Sequence, residues 1–557
     1  MPQATRILVV VLLAALWLPA RAGTPAVASA HPLATEAGME VLRDGGNAFD
    51  AAVTVSAVLA VVEPMGSGFG GGGFWLLHRE RDGFRTMIDG RETAPGAATA
   101  DMYLNRDGEV ERDWAMNGPA AAAIPGQAAA LDHIAGEYGT MELAELLAPA
   151  IELAEEGFEV GERYRTLARF RKEVLNRFPD TRRTFLRDGE LPPKGHTIVQ
   201  PELAQVLERL AEEGRDGFYT GEVAQALVEG VQEYGGIWTL EDLEDYEVRE
   251  REPVTGEYAG AEITAASLPS SGGIVLMQIF NILSEMDEEL EGADAGLRAH
   301  LNVEAMRRAY RDRAEYLGDS DFVDVPRERL MSREHARELA STIRLDEPTP
   351  SEALEGISGS EKEGEDTTHF SILDAEGNRV AATLTINYPF GSGFTVPGTG
   401  ILLNNEMDDF SAKPGEPNVY GLVGSEANAI APGKRPLSSM TPAFLDWEGN
   451  TAILGTPGGS RIITMVALAM QHALDGHDPE EWVSRPRYHH QYLPDKVEAE
   501  PDFIGTDTAN ELLRIGHEVE STGRRYGDMQ VILRDSDGKV SAVSDLRGEG
   551  DVSTGQR

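Results

Sequence analysis

The chain has 557 residues, with 49 Lys+Arg against 94 Asp+Glu and a formal charge of −45. It is long enough for several domains or one large elaborated one, and 41% hydrophobic residues supply a core, which excludes global disorder. The charge argues against nucleic acid and anionic membrane surfaces as partners, and the absence of Cys excludes disulfides, thiolate nucleophiles, iron–sulfur clusters and Cys-type zinc sites. Seven of the basic residues are Lys, leaving 42 Arg. Excess carboxylate with few Lys suits a protein kept soluble in high salt; the alternative is an ordinary acidic exported protein.

In chain order, Arg6, an apolar run over 7–18 and the small-residue pattern at Ala20–Ala22 predict a cleavable signal peptide over 1–22. Twelve apolar residues are too few to span a bilayer, which needs about 20. A mature chain starting near Gly23 and a periplasmic or secreted product are expected. Helices are predicted over 32–42, stopped by Asp44-Gly45-Gly46-Asn47, and over 50–62, apolar nearly all round and therefore buried. Gly68, Gly70 and Gly73 spell G-x-G-x-x-G, but in the order helix, glycines, strand, the reverse of a dinucleotide site. The run reads instead as backbone packed close against something else.

From about 125 to 345 the pattern is mostly helical, with helices over 143–156, 201–213, 224–232, 297–317 and 333–343. Strands return over 368–374, 379–387, 443–447, 451–455 and 529–534. The order is not strictly βαβ, which gives an α+β fold class. Residues 346–366 are acidic and rich in Gly, Ser and Pro and read as a solvated linker that runs abruptly into a strand. A cut at the end of that linker explains the juxtaposition.

The two late strands flank Asp374-Ala375-Glu376-Gly377-Asn378, a hairpin signal. Centring the hairpin on Glu376 sets Thr368 opposite Leu384 and Thr367 opposite Thr385. Alone, paired Thr is ordinary strand composition. If the Asp366–Thr367 bond is broken, however, Thr367 carries a free α-amine of ordinary pKa about 7.7–8 beside its own hydroxyl. An N-terminal Thr supplies nucleophile and base in one residue, in a chain that has neither G-x-S-x-G nor H-E-x-x-H. His489-His490 suggests no metal site, because adjacent His do not face one ion from a regular strand. No cofactor is expected.

The segments DGGNAFDAAV (44–53), VEPMGSGFGGGGF (62–74), IDGRETAP (88–95), DTTHFSILD (366–374), GILLNNEMDDFSAKPG (400–415), KRPLSSMTP (434–442) and GTPGGSRII (455–463) together resemble the gamma-glutamyltransferase (glutathione hydrolase) family of N-terminal nucleophile hydrolases. The resemblance runs over nearly the whole mature chain. It implies a four-layer αββα sandwich and a precursor that cuts itself between Asp366 and Thr367, leaving a large subunit 23–366 and a small catalytic subunit 367–557 associated as a heterodimer. It implies attack by Thr367 on glutathione and other γ-glutamyl amides, with water or an acceptor amino acid or dipeptide taking the acyl group.

By the same resemblance Arg91, Ser438 and Ser439 hold the substrate α-carboxylate, and Asn387, Glu406 and Asp409 its α-ammonium. Gly458 and Gly459 form the oxyanion hole, Thr385 hydrogen-bonds the nucleophile, and Tyr420 gates a lid loop. Read singly, these residues also fit a surface ion pair, plain turns and an acidic loop. Two rival readings are a glutaryl-type acylase and an uncut, inactive secreted binding protein. Against the acylase stands Asp409 in the company of Arg91 and the Ser pair, since a glutaryl group keeps a terminal carboxylate but lacks the α-amine that Asp409 would hold.

Overall fold

The computed structural model describes residues 23–354 and 367–555. The expected signal peptide, the linker residues 355–366 and Asp366 lie outside the described residues.

Two central sheets are built from strands taken in chain order: β1 (Ala26–Ser29), β2 (Gly72–Arg79), β3 (Phe84–Gly90), β4 (Arg249–Arg251), β5 (Val254–Tyr258), β6 (Ala261–Ala265), β7 (Thr368–Leu373), β8 (Arg379–Thr385), β9 (Ala443–Trp447), β10 (Asn450–Gly455), β11 (Gln530–Arg534), β12 (Val540–Ser544) and β13 (Asp551–Thr554). The seven-stranded sheet runs β13-β1-β7-β8-β2-β3-β4, and the six-stranded sheet runs β12-β11-β10-β9-β6-β5. Helices α1 (Pro32–Asp44) and α2 (Ala48–Val62) cover the outer face of the first sheet, and α3 (Leu143–Glu156) packs behind α2. Helices α4 (Gly272–Ser284), α5 (Ala295–Tyr316) and α6 (Ile462–Leu474) cover the second.

Alternation along the strands builds the layers. In β8, Val380, Ala382 and Leu384 face the first helical layer, whereas Ala381 faces the second sheet. Each sheet therefore buries both faces, giving the expected αββα sandwich. No helix among the described residues is long and apolar enough to cross a membrane.

Helix α2 starts two residues earlier than the apolar pattern suggests. Asn47 caps it and Asp50 returns the bond to the Asn47 N–H at 2.8 Å, a reciprocal box that fixes the first turn. All 15 of its residues are buried. The glycine run then enters β2. A Cβ on Gly71 would stand 2.2 Å from the Thr385 carbonyl oxygen, so the backbone approaches the β7–β8 hairpin as closely as only glycine allows.

The hairpin pairs as the centring on Glu376 requires, with Arg379 opposite Leu373 and Leu384 opposite Thr368. Two expectations need correction. Strands β5 and β6 lie inside the stretch read as helical; they are short, and β5 alternates buried and exposed residues at a sheet edge. The part of the linker over 346–354 is not wholly solvated: Ser351 is fully buried, its Oγ accepts from Arg307 at 2.6 Å, and its N–H donates to Asp495 at 2.7 Å.

Candidate active site

Thr367 is buried immediately before β7, beside the end of β8. Thr385 closes β8, and its Oγ1 accepts the N–H of Asn387 at 2.7 Å. That bond turns the chain sharply: Asn387 has φ 71°, a left-handed conformation Asn tolerates better than most residues. The Asn387 amide donates to the Asn405 carbonyl at 2.8 Å, and its own carbonyl accepts from the Tyr420 hydroxyl.

Arg91 follows β3 and is fully buried. Its guanidinium pairs with Glu406 and, at 2.5 Å, with Asp409, both on one short helical turn, Glu406–Asp409. Glu92 lies 3.6 Å away. Burial alone would depress Arg91, but the three carboxylates hold it above its ordinary range. Burial drives Glu406 well up against the pull of Arg91, raises Asp409, and pushes Glu92 to about 7. The Arg91 cluster thus sets one buried guanidinium among three acids that burial pushes toward their protonated forms.

The serine pair lies opposite. The Ser438 N–H donates to the Pro269 carbonyl at 2.9 Å, and its Oγ accepts from Met440 N at 3.1 Å. The Ser439 Oγ accepts from Arg313 Nη2 at 3.1 Å. Gly458 and Gly459 take φ of 142° and 55° just before α6, so side chains are strained there and the positive end of a helix lies close by.

These residues enclose one tight cavity with about 20 Å³ of free space, room for about one water. Arg91, Thr367, Thr385, Asn387, Glu406, Asp409, Tyr420, Ser438, Ser439 and Gly459 all line it. Gly458 does not; it lines a neighbouring cavity of about 470 Å³. Arg313, Leu422, Leu437, Met440, Ser460 and Ile462 complete the wall and were not singled out by the sequence. Arg313 sits among Arg307, Arg308 and Arg311 on α5, and no spacing distinguishes it from them.

The loop that carries Tyr420 is tied to the Glu406–Asp409 turn. Val419 N–H donates to Asp408 at 2.9 Å and the Asn418 amide to Asp409 at 3.3 Å. Burial pushes Asp408 to about 7. His489 and His490 are buried, with His489 bonded to Thr464 and Gln491 and His490 lying 3.4 Å from Asp495. Two other groupings have ligand atoms within 4.8 Å of one another, His300–Glu304–His517 and His472–Asp475–His477. Neither lines the cavity, and Glu304 is already held by Arg308 at 2.6 Å.

A family model described as Gamma-glutamyltranspeptidase matches residues 34–555. The chain is 42% identical over 540 residues to a glutathione hydrolase proenzyme of Escherichia coli (strain K12), an alignment covering 96% of this chain and 93% of the relative. Among solved structures it resembles a cephalosporin acylase from Bacillus halodurans, with TM-score 0.82 and 27% identity, covering 99% of this chain and 98% of the other. It also resembles Helicobacter pylori gamma-glutamyltranspeptidase, with TM-score 0.57 and 39% identity, covering 59% of this chain and 94% of that one. A family model that spans nearly all of the described residues, with a relative matched along almost its full length, establishes that the chain belongs to the gamma-glutamyltranspeptidase family.

Proposed function

We propose that this enzyme hydrolyses and transfers γ-glutamyl groups through an ester on Thr367, after scission of the Asp366–Thr367 bond frees its α-amine. The single observation that carries the reading is the convergence on one cavity of Thr367, the Arg91–Glu406–Asp409 cluster and the Ser438-Ser439 pair. A γ-glutamyl substrate presents an α-carboxylate, an α-ammonium and, three bonds further along, the reacting carbonyl. A basic fork, two carboxylates and a hydroxyl nucleophile complement those features in kind.

The α-amine of Thr367 takes the hydroxyl proton as Oγ attacks the γ-carbonyl. His369, two residues on, is not a candidate base: burial holds it down at about 3, and its Nδ1 is bonded to Thr383 at 2.8 Å. The N–H of Gly459 stabilises the tetrahedral oxyanion, roughly 3–4 kcal/mol per donor in comparable sites, with Gly458 shaping the turn that presents it. Collapse breaks the C–N bond, and the leaving amine takes the proton. Water, or the amine of an acceptor amino acid or dipeptide, then attacks the ester. The Tyr420 loop excludes bulk water while the acyl group is held. Subunits 23–366 and 367–557 stay associated, and residues 1–22 direct export to the periplasm or medium.

The similarity to a cephalosporin acylase favours a second reading, removal of a glutaryl group. That group carries no ammonium and would leave Glu406 and Asp409 without a cationic ligand. The two readings separate on paired anilides: release of p-nitroaniline from the γ-glutamyl derivative at least a hundredfold faster than from the glutaryl derivative supports the first, and the reverse order supports the second.

A further inference from the structure

Among the described residues most buried arginines have a carboxylate partner, and Arg171 instead donates to the Pro389 and Gly391 carbonyls and the Asn117 amide oxygen. Arg91 pairs with Glu406, Arg308 with Glu304, Arg461 with Glu498 and Arg487 with Asp545. Arg313 is different. It is 5% exposed, lines the cavity, and forms no ion pair among the described residues. Its Nε donates to Ser271 Oγ at 2.9 Å and its Nη2 to Ser439 Oγ at 3.1 Å. A buried guanidinium satisfied only by hydroxyls is costly, because two neutral acceptors do not replace its lost hydration. Burial pulls it below its ordinary range, with Tyr310 and Asp409 opposing.

The helix that carries it touches the active site in three places. One turn before Arg313, the Tyr310 hydroxyl donates to the carbonyl of Ser460, directly after the glycine pair. At the end of α5, the carbonyls of Ala314 and Glu315 accept from the N–H and Oγ of Ser425, at the foot of the lid segment. One face of one helix, from the part of the chain before Asp366, therefore braces the oxyanion loop, the serine pair and the lid, all from the part after it.

We infer that Arg313 is a positioning and specificity residue for the γ-glutamyl α-carboxylate, orienting Ser439 and supplying the positive charge that Arg91 does not have to spare. Arg91 is already engaged by Glu406 and Asp409, whereas Arg313 reaches only hydroxyls. An arriving carboxylate gains more from a cation with no acidic partner than from one with two. The α-ammonium then draws on Glu406 and Asp409, so both ends of the zwitterion are compensated and Arg313 obtains its anion through binding.

The inference rests on the γ-glutamyl reading above, and its test separates the two. Wild type, Arg313→Met, Arg313→Lys, Ser439→Ala and the Arg313→Met/Ser439→Ala double variant are assayed for p-nitroaniline release, with subunit formation followed on denaturing gels. Failure of wild type to turn over the γ-glutamyl anilide overturns the γ-glutamyl reading itself. Given wild-type turnover, Arg313→Met is expected to raise KM at least tenfold with kcat changed less than threefold. Arg313→Lys, which keeps the charge and stem, should lie between it and wild type, and it decides the matter if the neutral variant does not fold, a KM rise of threefold or more being expected. The double variant should be no worse than the poorer single variant by more than threefold, because both act at one contact. A KM within twofold of wild type in both Arg313 variants, a fall in kcat at constant KM, or strictly multiplicative losses in the double variant would overturn the assignment.

Discussion

Asp409 illustrates how one side chain serves several masters: it pairs with Arg91, accepts from Asn418 of the Tyr420 loop, and faces the cavity. Removing its charge while keeping its shape isolates the electrostatic part. Asp409→Asn should raise KM for a γ-glutamyl anilide roughly 10–150-fold, the equivalent of about 1.5–3 kcal/mol for a hydrogen bond to a charged group, while turnover of the ammonium-free glutaryl anilide is unchanged or improved. Equal losses on both substrates would contradict its proposed role. A second residue-scale expectation concerns Asp528, buried near Arg163, Glu63, Asp545 and Arg487, where burial pushes its pKa to about 8. Below its ordinary value of about 4, folded and unfolded chains both hold the proton. Between about 4 and 8 only the folded chain does, so rising pH favours unfolding until the loss is complete above about 8. Asp528→Asn, which cannot ionise, should therefore lose less thermal stability than wild type between pH 5 and pH 8, measured by melting in matched buffers; parallel curves would refute this. Neither Asp528 nor Arg313 was legible from sequence. Asp in an acidic protein and Arg in a helix carry no local signal, and their significance arises only from what distant segments bring against them.

At the scale of elements, the β7–β8 hairpin that follows Thr367 was legible to the residue. A strand has period two and a turn signal is local, so one centre at Glu376 fixes every pair from Thr368–Leu384 to Leu373–Arg379. The glycine run was legible as close packing, but its partners, the Thr385 carbonyl beside Gly71 and the Leu402 carbonyl beside Gly70, lie more than 300 residues away and could not be read. Strands β5 and β6 were missed because two five-residue segments within a helical region carry too little periodicity to stand out. The linker was overextended because burial of Ser351 depends on Arg307 and Asp495, contributed from elsewhere. Close packing makes a further element-scale prediction. A Cβ on Gly455 of β10 would stand 2.3 Å from the His369 ring, two residues beyond Thr367. Gly455→Ala should cost about 1–3 kcal/mol by overpacking and slow subunit formation by displacing β7. A melting scan and a gel time course check both effects, and an unshifted melting temperature would show that the sheets can separate locally.

The whole molecule combines a two-sheet core with a strongly acidic composition. A net charge of −45 on 557 residues repels itself, and added salt screens that repulsion over a Debye length that falls to about 3 Å at 1 M. The melting temperature should therefore rise steadily from low salt into the molar range. A flat or falling curve above about 0.2 M would favour the ordinary acidic exported protein instead. The same scale holds the division of labour between the two parts of the chain. Arg91 and Arg313 come from before Asp366; Thr367, Asp409 and the serine pair come from after it. The cavity is lined from both parts, so residues 23–366 and 367–557 prepared separately should each lack the activity that they have when packed together.

The central claim, that a freed threonine amine is the base for its own hydroxyl, is tested most directly by the intact mass and N-terminal sequence of active enzyme. The account predicts two chains, one beginning Thr367-Thr368-His369-Phe370, and a single uncut chain in the Thr367→Ala variant. Active enzyme in which Thr367 is still joined to Asp366, or a Thr367→Ala variant cut at that bond, would contradict it.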